Sequence, residues 1–521
     1  MGILNKLAAL ILLISICPSA WGQVFDPRTD GWYFTNWGEQ GTNCIGSCDL
    51  SWYLFRETYL GINPTQDCIE APLDCAFYEI FKNCGANGNC GGMSLLALAL
   101  FKYGGYLGFC SPAAFYTGTV SPDREDLHRA INMLQARQFS ASGIENFIDV
   151  VDAGHLNNAE AAFFTIRDSL ARGDYPVLSI ANSVFGEAAH TVIPYRVLDG
   201  PSGGYPKRIF IWDPNLPYDD NPSHYDTGAN FMTVNGPQDW VYVQSPTRTY
   251  SSSPGGGAWC FAIPMSVILP KSRHPLALDM VFDALQTAFV TGPGAAVVQI
   301  SDDQGKRLYK SGGPSLGLET DPAKRLKGAV KWLWPSSDFI TGGAPGELYF
   351  LKRTVGKVDG LTFEITGNSY RATIGAAGNL IRLEARSNEY VKDSIRVGDL
   401  GTSSQSVQIE TLAGARNFSI RQIRSDLKTN DWRAIEINDI SVKSGSPVSF
   451  ETVGNMEAVV VRSREQSVGF NIEMQQRVRG KFLSRRSEGL ATSAGRPLRL
   501  APENWRELDK TPIEKRHLDL P

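Results

Sequence analysis

The stretch that most restricts the fold runs from residue 87 to residue 101. Asn87-Gly88-Asn89-Cys90-Gly91-Gly92 is turn chemistry, and it passes through Met93-Ser94 into Leu95-Leu96-Ala97-Leu98-Ala99-Leu100-Phe101, an uncharged run of helix formers. A helix that is apolar nearly all round has no face to offer water, so it is expected in the middle of a domain. Cys90 then falls in its first turn. There, free backbone N–H groups and the helix dipole favour a thiolate over a thiol. That placement suits a nucleophile.

The other cysteines set a competing expectation. Residues 1–22 read as a secretory signal: Lys6 supplies the positive start, Leu7 to Ile16 the apolar run, and Ala20-Trp21-Gly22 a cleavage site before Gln23. Ile16 stands where a lipoprotein signal needs a small residue before Cys17. No later apolar run reaches the roughly 20 residues a membrane span needs. The mature chain is therefore expected outside the cytoplasm: secreted, periplasmic or on the cell surface. It keeps Cys44, Cys48, Cys68, Cys75, Cys84, Cys90, Cys110 and Cys260. An even count in an exported chain implies four disulfides. A free Cys90 requires a second unpaired thiol, and isolated Cys260 is the candidate. No CxxC or HxxxH spacing accompanies these residues, so neither a zinc site nor a cofactor is expected.

Of six histidines, one has a chemical context. Ala159 to Leu170 reads as a helix, and Val177-Leu178-Ser179-Ile180 as a short buried strand. Ala188 to Val197 reads as another strand, with His190 near its start. Ile209-Phe210-Ile211-Trp212 is an apolar strand ending on Asp213-Pro214-Asn215. Two antiparallel neighbours would bring His190 beside Asp213, whose carboxylate would hold the ring in one tautomer. Taken singly, His190 also reads as a core histidine and Asp213 as a turn residue.

With Cys, His and Asp in that order, the chain resembles papain-like cysteine peptidases. The likeness rests on Asn89-Cys90-Gly91-Gly92-Met93-Ser94, Arg172-Gly173, Pro176-Val177, Ala189-His190-Thr191-Val192 and Ile211-Trp212-Asp213-Pro214-Asn215. It is nearest to the bacterial branches that include double-glycine-type peptidase domains, and it covers about residues 80 to 220. The resemblance implies Cys90 as nucleophile, His190 as general base and then acid, and Asp213 as the orienting group, with Asn215 as runner-up. It also implies an oxyanion site made by the Cys90 N–H and a side-chain amide. The family's glutamine, six residues before the cysteine, is replaced here by Cys84, and Asn87 is the favoured substitute over Asn83 and Asn89. A peptide or protein substrate follows, hydrolysed through a thioester.

Beyond residue 270 cysteine is absent and short alternating segments recur, among them Val297 to Ser301, Leu361 to Thr366, Tyr370 to Ile374, Leu380 to Ala385 and Val407 to Thr411. Turns such as Gly367-Asn368 separate them. The expected fold class is α+β: a papain-like catalytic domain over 23–270, β-sandwich domains over 271–390 and 391–480, and a loose or wrapped tail over 481–521. The β domains carry no catalytic pattern and are candidates for binding a surface or a carbohydrate. Lys+Arg 50 against Asp+Glu 54, with no basic stripe, excludes nucleic acid as a partner. Two other functions fit the same residues. One is a non-catalytic, disulfide-stapled adhesion protein, which needs Cys90 in a bridge. The other is a deamidase or transglutaminase-like enzyme on the papain fold.

Overall fold

The computed structural model describes residues 24–519 except 38–49, 83, 85–87, 117–124, 183–188, 255–257, 278–282, 293, 317, 333–345, 355–359, 399, 401–403 and 430. The signal segment 1–22, Cys44, Cys48, Asn83 and Asn87 fall outside the described residues.

The chain is α+β, with helices first and antiparallel sheets after them. The helices that concern the site are α1 (Trp52–Thr58), α2 (Pro72–Phe81), α3 (Cys90–Tyr103), α4 (Glu125–Arg137), α5 (Ala141–Asp152) and α6 (Ala159–Ala171). Side chains of Ser51, Ser140 and Asn158 cap α1, α5 and α6 by accepting the N–H groups of Leu54, Gly143 and Ala161. Helix α3 has no such side-chain cap, and it ends at Gly104 in the left-handed region. Cys90 to Phe101 are all buried. Its leucines are sealed from water, each contributing about 1.5–3 kcal/mol of hydrophobic burial.

Both glycines after Cys90 have a packing reason. A Cβ on Gly92 would lie 2.1 Å from the Ile131 carbonyl oxygen, and one on Gly91 would lie 2.3 Å from Gln138 Nε2. Helices α3 and α4 therefore meet backbone to backbone. The Gly92 N–H donates to Gln135 Oε1 at 2.8 Å, satisfying one first-turn donor from the neighbouring helix.

A seven-stranded antiparallel sheet follows: β1 (Pro176–Ala181), β2 (His190–Leu198), β3 (Lys207–Trp212), β4 (Phe231–Gly236), β5 (Asp239–Ser245), β6 (Arg248–Ser252) and β7 (Trp259–Pro264). Their order across the sheet is β6-β5-β4-β3-β2-β1-β7. β2 and β3 pair antiparallel with Ile193 opposite Trp212, which sets His190 and Asp213 just beyond the last paired residues. Helix α3 lies against β2, and the Ser94 hydroxyl, one turn after Cys90, donates to the Thr191 carbonyl at 3.4 Å.

From residue 283 on, the regular elements among the described residues are strands apart from two short 3-10 turns, and the strands form one branched antiparallel sheet. Leu361–Ala376 and Asn379–Gly398 are two continuous long strands. Gly367-Asn368, expected as a turn, is instead a register shift inside the first of them, with Gly367 at φ +150°. A bulge bends the strand and lets its two halves pair with different partners. The boundary expected between residues 390 and 391 falls inside the second long strand. A single apolar cluster extends from Ala288 to Ile513. The expected loose tail is ordered as strands Lys481–Thr492, Leu498–Pro502 and Ile513–His517: the first closes a hairpin on the preceding strand Val468–Val478, the second pairs with Ala458–Ser463, and the third pairs back onto the second.

The two halves share packing. Leu285, Phe289, Leu348, Phe350, Leu380 and Ile423 join the apolar cluster of the helical half. Trp432 Nε1 donates to the Ile69 carbonyl at 2.5 Å, and the Gly328 N–H donates to Asp152 at 2.8 Å. His274, in the connecting segment, is fully buried, bonded to Asp74 at 2.9 Å and stacked on Phe77. Its polar sequence neighbours conceal that burial. Among the described residues, no helix is long and apolar enough to cross a membrane.

Candidate active site

The site assembles where the start of α3 meets the open end of the β2–β3 pair. Cys90 is 2% exposed, His190 3% and Asp213 0%, so the three groups sit out of bulk water. His190 Nε2 bonds Asp213 Oδ1 at 2.7 Å. The Cys90 thiol lies close enough to the same ring to help raise its pKa. With Nε2 committed to the carboxylate, Nδ1 is the nitrogen left for sulfur. Tyr250 of β6 stacks on the imidazole, with centroids 5.9 Å apart and planes 18° apart.

Asp213 is saturated. Oδ1 also accepts the Asn215 N–H at 2.7 Å, while Oδ2 accepts the Tyr242 hydroxyl and Gln244 Nε2, each at 2.7 Å. Tyr242 and Gln244 are alternate residues of β5 and so share a face of the sheet. Burial pushes the Asp213 carboxyl up, but His190 and the hydrogen bonds from Gln244 and Tyr242 outweigh it and hold it below its ordinary 3.8. Burial likewise works against a charged His190. The Asp213 charge, Tyr250, the hydrogen bond that Asp213 accepts and the nearby Cys90 thiol prevail, raising the imidazole well above 6.5.

Asn215, the runner-up for orienting the ring, instead supports Asp213 through its backbone N–H. This is the turn expected of an Asp two residues earlier. Tyr242, Gln244 and Tyr250 carry no sequence signal, because a Tyr or Gln in an alternating strand looks like any half-buried sheet residue. His128, which had no evident role, stacks on Trp37 at 4.5 Å, and the Trp37 carbonyl accepts the Asn89 N–H at 3.1 Å. Burial lowers the His128 pKa.

The cysteines also differ from the four-bridge expectation. Cys68 and Cys75 are bonded, whereas Cys84, Cys90, Cys110 and Cys260 are free thiols. Cys84 and Cys260 are enclosed in apolar packing, which pushes both thiols up. Among the described residues, no group of three or more His, Cys, Asp or Glu is arranged to hold a metal ion. Comparison with family models, with curated proteins and with solved structures finds no match.

Proposed function

We propose that this chain is a cysteine-type amide hydrolase, a peptidase of papain-like architecture working through Cys90, His190 and Asp213. One observation carries the reading: a single buried imidazole is bonded to a saturated carboxylate and has a free, buried thiol beside it. A core histidine needs neither partner to be reactive. The adhesion reading, which requires Cys90 in a bridge, loses its main support from the free thiol.

The mechanism follows from the geometry. His190 takes the thiol proton, and the resulting imidazolium is stabilised by Asp213, which stays ionised. The thiolate attacks the substrate carbonyl carbon. The carbonyl π pair moves to oxygen, and collapse expels the amine, which takes its proton from His190. Water, deprotonated by His190, then releases the acid from the thioester. A water-poor setting strengthens each of these electrostatic contacts. The expected export signal places the enzyme outside the cytoplasm. The β-rich half, read as sandwich-like modules, is the candidate for engaging a surface or carbohydrate.

The test is hydrolysis of a mixed peptide library, followed by mass spectrometry, for the wild type, Cys90→Ala and His190→Ala. Cleavage by the wild type alone supports the proposal. Equal cleavage by Cys90→Ala refutes it, and release of ammonia without chain cleavage would assign the site to a deamidase.

A further inference from the structure

The Cys90 N–H has no acceptor among the described residues, as suits one donor of an oxyanion site, and a second donor is needed. Asn83 and Asn87 lie outside the described residues, and among the described ones a donor comes from near the start of the mature chain. The segment Val24 to Trp37 crosses the site like a strap. Trp32 Nε1 donates to the Met93 carbonyl at 2.9 Å, and Gly31 packs so closely on Trp212 that a Cβ there would lie 2.2 Å from the indole nitrogen. At its end, the Asn36 N–H donates to the Pro214 carbonyl at 2.9 Å, next to Asp213. Asn36 Oδ1 accepts the Asn89 N–H at 2.7 Å, next to Cys90.

The first bond fixes the Asn36 backbone and the second its side chain and orientation. An N–H donor can be met only by the amide oxygen, so the flip is decided by chemistry. Nδ2 is then turned to the stretch just before the nucleophile, 3.1 Å from where a Cβ on Gly88 would sit. Gly88, at φ +132°, both adopts a backbone that other residues avoid and leaves room for the amide. Nδ2 has no acceptor among the described residues, although the residue is buried.

We infer that Asn36 is a catalytic residue: its amide NH2 and the Cys90 N–H together bind the oxyanion. The donor reaches the site from 54 residues upstream of the nucleophile (90 − 36), across the strap. This rests on the cysteine-hydrolase reading. Its chemistry is specific to acyl transfer. When the Cys90 thiolate adds to an ester carbonyl, a C–S bond forms and the π pair becomes an oxyanion on the former carbonyl oxygen. The oxyanion then collapses to a thioester and expels the alcohol as its anion. Alkylation by iodoacetamide displaces iodide at a saturated carbon and creates no oxyanion.

The experiment compares Asn36→Ala with wild type in both reactions. One is the p-nitrophenolate burst from p-nitrophenyl acetate, and the other is iodoacetamide labelling of Cys90 mapped by mass spectrometry across pH. Losing Asn36 leaves the Asn89 N–H its second acceptor, the Trp37 carbonyl at 3.1 Å, so the loop keeps its backbone bonding. Acylation is expected to fall about 10²–10³-fold, with an unchanged pH profile of alkylation. An acylation rate within about twofold of wild type, or equal losses in both reactions, would overturn the inference, since equal losses mark a structural role. A wild-type burst that persists in Cys90→Ala would instead strike the hydrolase reading itself.

Discussion

The Tyr242 hydroxyl donates to Asp213 Oδ2 at 2.7 Å, on the opposite side of the carboxylate from His190. It helps keep a fully buried acid ionised. Tyr242→Phe is expected to cost about 1.5–3 kcal/mol of stability, the net worth of one hydrogen bond to a charged group. It should also raise the Asp213 pKa. A depressed carboxyl stabilises the fold above its unfolded value, and the contribution is lost as pH falls through the folded value. The acid limb of the stability profile should therefore move to higher pH in the variant. Urea melts from pH 3 to pH 6 read this directly, and coincident acid limbs would remove Tyr242 from the site.

Asp213→Asn tests the other face of the same carboxylate. An amide there meets two donors, Tyr242 and Gln244, with at most one acceptor to spare. The expected destabilisation is about 1–3 kcal/mol. His190 loses the charge that opposes its burial, so its pKa should drop from well above 6.5 toward or below that value. In the wild type the His190 contribution to stability is complete below its unfolded pKa and is lost as pH rises through the raised folded one. The variant should lack that alkaline decline. NMR titration of the imidazole measures the shift.

Gly92→Ala should separate α3 from α4. The added methyl would meet the Ile131 backbone oxygen, which cannot swing aside as a side chain can. A loss of about 3 kcal/mol is expected, with displacement of Cys90 and slower alkylation at that residue. A stable, fully reactive variant would mean that the helices can part without cost.

Thiol labelling without reductant should sort the described cysteines other than Cys90 into three groups. Exposed Cys110 reacts at once; Cys84 and Cys260, with raised thiols, react only after unfolding; Cys68 and Cys75 react only after reduction. Mass mapping of the labelled sites checks each assignment.

In the β-rich half, Arg416 and Asp393 form a buried ion pair completed by Tyr370, Thr411 and the Gly367 and Asn368 carbonyls. Arg416→Met leaves a buried carboxylate without its cation, so about 3–5 kcal/mol should be lost. The Arg416→Met, Asp393→Leu double variant should recover much of it. Denaturant melts of the full chain compare the two.

Some of this was legible in sequence because it is local. The run from Leu95 to Phe101 can only be a buried helix, and the glycines before it mark where that helix starts. His190 and Asp213 sit at the ends of short apolar strands, and antiparallel pairing of such strands is a two-residue argument. The cysteine count pointed to Cys260 as the thiol left free with Cys90, but not to free Cys84 and Cys110, because counting assumes that every remaining thiol is near another. Cys84, Cys90 and Cys260 are instead buried separately on different elements.

What tertiary structure alone decided depends on residues far apart in the chain. Asn36, Tyr242 and Gln244 have ordinary neighbours, and their roles arise only when the strap and β5 are laid against the α3–β2 junction. The strands at 481–517 alternate weakly and read as tail, yet Leu498–Pro502 is anchored on the distant strand Ala458–Ser463 and the strands on either side of it pair with their chain neighbours. Periodicity records which face a residue turns to its own element's core. It holds no record of the partner across that core, which is chosen by packing and by the need to satisfy every buried polar group.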